Sequence, residues 1–123
     1  MTKTWLRLLD PEMDGLLAAP APDRASRLAL ARALNLRSRH AEALDILEGL
    51  LAEDRADGEA WFQRILCEGE HADEEDLRVL HEEIEAVRDE HPDLACHRRN
   101  LGYLRIIQHR LDDVERALDQ ALQ

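Results

Sequence analysis

Side chains that favour strands are scarce in this sequence. Its 123 residues hold five isoleucines, three valines, two threonines and only four aromatics: Trp5, Trp61, Phe62 and Tyr103. Strands are built mainly from β-branched and aromatic residues, so a β-rich fold is excluded. No apolar run approaches the roughly 20 residues that span a bilayer as a helix. Asp10 and Glu12 interrupt the N-terminal stretch before it reaches the length of a secretory leader, so no such leader is expected. Cysteine is limited to Cys67 and Cys96, which could form at most one bridge. Both lie in apolar helical patterns, and reduced, partly buried thiols are the expectation. Of the 16 basic residues only Lys3 is a lysine.

What remains is leucine (22) and alanine (17), about a third of the chain. That composition and length predict one all-helical domain over residues 1–123, placed in the cytoplasm. The formal net charge is −11. Nucleic-acid binding needs a basic face to neutralise phosphates, so a nucleic-acid partner is not expected. Residues 53–93 carry 16 acidic and 4 basic side chains, and the rest of the chain is nearly neutral. Such an acidic stretch is either a solvated helix face or a docking surface for a basic partner.

Chemistry-bearing motifs are equally sparse. Cys67-x-x-x-His71, His81 and Cys96-His97 supply sulfur and nitrogen ligands, but not in the tight paired spacings of zinc sites. Glu68-x-x-His71 is half of a helical di-iron motif without a second half. There is no Gly-rich phosphate loop, zincin spacing or nucleophile elbow. The expectation is a non-enzyme with no metal and no cofactor.

Punctuation divides the chain into short amphipathic segments. Asp10-Pro11 splits a leading segment from Thr4 to Ala19, since aspartate caps helices and proline suits a first helical position. Pro20-Ala21-Pro22 ends it as a stiff linker. Asp23 caps a helix to about Arg37, and Ser38-Arg39-His40 forms a turn. A helix from Ala41 to Glu53 has a wide apolar arc, which predicts packing on more than one side. Another starts around Trp61 and Phe62 and ends near Gly69. Asp73 to Glu90 opens with acids that complement the helix dipole and carries a core stripe of Leu77, Leu80, Ile84 and Val87. After His91-Pro92-Asp93, two helices are predicted, Leu94 to Gln108 and Asp112 to Leu122. The last is apolar at Val114, Ala117, Leu118 and Ala121 and charged on its other side, so it would close the array with a polar face.

These segments recur as helix pairs. Ala43, Leu80 and Val114 stand at equivalent places in AEALDILEGLL, EDLRVLHEEIEAV and DDVERALDQAL, 37 and 34 residues apart. Leu47, Leu50, Ile84, Val87, Leu118 and Ala121 follow in register, and Leu30-Ala31 aligns with Leu101-Gly102. The pattern resembles the tetratricopeptide repeat family, whose 34-residue units are helix–turn–helix pairs. Three degenerate units would cover 24–57, 58–94 and 95–123, behind an N-terminal helical cap at 1–22. The middle unit has about three extra residues, Arg64 stands where the motif has leucine, and Arg105 replaces the motif tyrosine. The alternative is an unrelated five- to seven-helix bundle.

The resemblance implies a right-handed solenoid of about three α-hairpins whose concave groove binds a peptide or helical segment of a partner protein. Groove residues would be Leu28, Arg32, Asn35 and Leu36, then Phe62, Gln63 and Leu66, then Arg99, Asn100, Tyr103 and Ile106. Leu28 falls where carboxylate-gripping members carry a lysine, which weighs against that activity. Each of these residues could instead be ordinary surface or interhelix packing. An adaptor, scaffold or small chaperone is the implied role, with no membrane insertion; a self-associating structural subunit, for instance a homodimer, is the alternative.

Overall fold

The computed structural model describes residues 10–18, 23–69 and 72–122. It contains six α-helices and no strand among those residues: α1 (Asp10–Ala18), α2 (Arg24–Leu36), α3 (His40–Glu53), α4 (Gly58–Gly69), α5 (Glu74–Glu90) and α6 (Ala95–Ala121). The all-helical composition argument is borne out. No described helix is long and apolar enough to cross a membrane. The chain forms two compact units, Met1–Cys67 and Glu68–Gln123. Trp5, the 20–22 linker and His71 lie outside the described residues.

In the first unit α2 and α3 pair as a hairpin around Leu30, Ala31, Leu34, Ala43, Leu47 and Leu50, all buried. Met13 of α1 is fully buried, and α1 packs on α2. Asp23 caps α2 through its carboxylate, which accepts from the Ser26 amide at 3.0 Å. The α2–α3 turn closes with Ser38 N–H donating to Asn35 O (3.1 Å) and Arg39 N–H to Leu34 O (2.8 Å). This reciprocal pair satisfies carbonyls that the helix end leaves open, and it needs a left-handed residue between them. Ser38, at φ 60°, occupies that position, where glycine is usual.

Arginines lock the far end of this hairpin. Arg24 donates to Leu50 O (3.1 Å), Glu53 (2.9 Å) and Asp57 (2.8 Å), tying the start of α2 to the end of α3. Arg27 grips both oxygens of Glu53 at 2.9 Å. The fork geometry of guanidinium suits such bidentate contacts, which accounts for arginine rather than lysine at these places. Trp61 is buried, and its indole N–H reaches back to Arg55 O at 2.8 Å, pinning the α3–α4 loop.

The second unit is a hairpin of α5 against α6. Asp73 caps α5 by accepting from the Asp76 amide at 2.9 Å. Leu77, Leu80, Ile84 and Val87, the stripe expected from spacing, are all buried, as are His97, Leu101 and Leu104 of α6. Two expectations fail here. The final pair of helices is one continuous helix of 27 residues. Between Gln108 and Asp112 there is neither glycine nor proline, and aspartate's preference for caps does not stop a helix whose backbone ladder is intact. The 95–123 segment is therefore not a hairpin. The end of α6 also does not present a polar face: every residue from Asp113 to Leu122 is exposed, Val114 and Leu118 included.

Candidate functional site

In the first unit the structure joins two of the expected groove residues inside the helix packing. Asn35 Nδ2 donates to Gln63 O (3.1 Å) and Gln63 Oε1 (3.0 Å). The Cys67 thiol donates to Asn35 Oδ1 at 2.9 Å, and His40 Nδ1 meets the same oxygen at 2.9 Å. Gln63 Nε2 donates in turn to Glu59 at 3.3 Å. One amide thus staples α2, α3 and α4 together. The Asn35 amide oxygen can only accept, so His40 meets it through a protonated Nδ1.

Gln63 is buried at 5% exposure, and so is Asn100 on α6, so both are corrected from groove lining to interior polar groups. The buried Gln63 amide is paired with Asn35 and Glu59, which avoids the cost of an unsatisfied polar group. Leu28, Phe62 and Leu66 are half-buried. Arg32 and Leu36 are exposed, and among the described residues Arg32 makes only a long 3.8 Å ion pair with Glu59.

In the second unit Arg99, Tyr103 and Ile106 follow one another on α6 at spacings of four and three, which places them on one helix face. All three are exposed, Ile106 by half. Asn100 is about a quarter-turn away and points inward.

A second feature of this unit was not expected. Where α5 begins, a notch of about 750 Å³ opens against α6, lined by Leu77, Arg78, Arg105, His109 and Leu111 among others. The carboxylates of Glu74, Asp112 and Glu115 converge on it, with oxygens within 4.8 Å of one another. None of these three acids has an ion-pair partner among the described residues. Cutting α6 at residue 108 hid this site, because Asp112 and Glu115 then belonged to a separate helix. The uninterrupted apolar series Leu104, Ile107, Leu111, Val114, Leu118 and Leu122 was the available signal.

Several other charged side chains are neutralised locally. Arg39 bridges Asp14 (2.6 Å) and Glu42 (2.7 Å), and Arg78 pairs with Glu75 and Glu82. Hydrogen bonds from Arg27, Arg39 and Arg78 hold the Glu53, Glu42 and Glu75 carboxyls below the usual glutamate range. His97 is different. It is fully buried, and neither ring nitrogen has a hydrogen-bond partner among the described residues. Burial, and secondarily the His91 ring 6.3 Å away, lower its pKa. Both cysteines are free thiols.

Comparison with protein-family models, with curated proteins and with solved structures finds no match to this chain.

Proposed function

We propose that this chain is a non-enzymatic protein–protein interaction module of the cytoplasm, an adaptor, scaffold or small chaperone that holds a peptide or helical segment of a partner protein. One observation carries the proposal: α6 presents Arg99, Tyr103 and Ile106 on a single exposed face. An aromatic ring, an aliphatic anchor and a guanidinium side by side are the combination enriched where proteins bind one another. The α2–α3 hairpin, with helices of 13 and 14 residues joined by a tight turn, fits the size of one tetratricopeptide unit and supports reading residues 24–57 as a repeat.

The test is selection of peptides from a displayed random library on the wild-type chain, followed by affinity measurement with Arg99→Ala/Tyr103→Ala. Selected peptides should bind the double variant at least tenfold more weakly, as expected when a hot-spot pair is truncated. Helix content and melting temperature should stay unchanged. Undiminished binding, or unfolding of the variant, refutes the assignment of this face.

A further inference from the structure

The helices of the second unit are unequal. α5 has 17 residues and α6 has 27, and Glu74 at the start of α5 lies beside Asp112 and Glu115, so roughly 10 Å of α6 projects past the start of α5. The apolar stripe that packs on α5 does not stop there. It continues along the projection as Val114, Leu118 and Leu122, which are 55%, 58% and 85% exposed. Leu111 carries it into the notch, whose lining includes Leu77. An apolar strip of about two turns with no cover is costly in water, and such patches mark contact surfaces.

Charge identifies what fits. The strip is bordered by Glu74, Asp112, Glu115 and Asp119, none of which has an ion-pair partner among the described residues. Three of these carboxylates are crowded within 4.8 Å, where each repels the others. An acidic helix would meet the same repulsion. A cationic side chain near Glu74, Asp112 and Glu115 removes it.

We propose that the projecting end of α6, with the notch at the start of α5, docks a basic amphipathic helix from a partner protein. The docked helix occupies the line that α5 would follow if it were about two turns longer. Its leucine-like anchors cover Leu111, Val114, Leu118 and Leu122, and its Lys or Arg side chains reach Glu74, Asp112 and Glu115. The proposal rests on the chain being a protein-binding module, but it uses a different surface from Arg99, Tyr103 and Ile106.

The probe is a fluorescein-labelled peptide of about four helical turns, with leucine at i, i+3, i+4 and i+7 and lysine elsewhere, read by anisotropy. Two companions are used, one with glutamate in place of lysine and one of scrambled order. Val114→Gln/Leu118→Gln and, separately, Glu74→Gln/Asp112→Asn/Glu115→Gln should each weaken the lysine peptide roughly tenfold. Asp76→Asn/Glu82→Gln/Asp89→Asn, which removes the same charge from elsewhere on α5, should leave its affinity within about twofold. Neither companion should bind comparably.

Equal weakening by both neutralised sets means attraction to net charge alone and overturns the proposal. Indifference to Val114→Gln/Leu118→Gln, or no binding by the wild type, does the same. If a variant melts, the wild type still decides: peptide-induced amide shifts must centre on residues 74–78 and 111–122. Loss of this peptide in Arg99→Ala/Tyr103→Ala with retention in Val114→Gln/Leu118→Gln would overturn this docking site while leaving the α6 face of the proposed function standing.

Discussion

Replacing His97 by leucine should make the second unit more stable at neutral pH and remove a step in its acid sensitivity. The imidazole is sealed in the α5–α6 packing with both nitrogens unpaired among the described residues. Leaving a buried polar group unsatisfied costs about 1–3 kcal/mol, and leucine fills much of the same space without that cost. A gain of roughly 1–2 kcal/mol is expected at pH 7.5, a few degrees in melting temperature.

The pH effect follows from burial, which lowers the folded-state pKa of His97 below its ordinary 6.5. The unfolded chain then binds the proton first as pH falls. Stability is therefore present above 6.5 and is lost as pH drops below it, at no more than about 1.4 kcal/mol per pH unit for one proton. The carboxylates of Glu42, Glu53 and Glu75 are shifted downwards, so their contribution is present above the ordinary glutamate value of 4.5 and is lost only at lower pH. The two windows separate. Urea unfolding followed by circular dichroism between pH 7.5 and 5 should show a steeper decline in the wild type than in His97→Leu. Equal slopes, or a variant weaker by more than about 2 kcal/mol at pH 7.5, would refute the reasoning, since the latter is the cost of a lost packing group.

Ser38→Gly should stabilise the α2–α3 hairpin by about 0.5–1 kcal/mol, because the left-handed conformation at φ 60° costs a serine more than a glycine; Ser38→Val should destabilise it, both read by thermal unfolding. Asn35→Leu removes the donor to Gln63 and the acceptor for Cys67 and His40, and should cost about 2–3 kcal/mol in urea titration. Arg32→Ala, three residues earlier on an exposed face, should change stability by less than about 0.5 kcal/mol.

Several local signals in the sequence hold in the structure. Asp23 and Asp73 cap α2 and α5 as their side-chain chemistry requires, and the Leu77-Leu80-Ile84-Val87 stripe is buried because its spacing allows one packed face. Arg99, Tyr103 and Ile106 share one face of α6 because they stand four and three residues apart, and all three are exposed.

Side-chain fate at Asn35, Gln63 and Asn100 was not legible, since an amide on a helix serves a groove or an interior network equally well until the neighbouring helix is in place. The break expected between Gln108 and Asp112 is absent because aspartate marks a cap only where the backbone stops, and nothing in that stretch stops it. Composition and period by themselves determined that this chain is helical and where most of its helices begin. Only the tertiary packing decided that α6 outruns α5. That mismatch depends on the lengths of two helices set against each other, and it leaves Val114, Leu118 and the acids around Glu74 uncovered together.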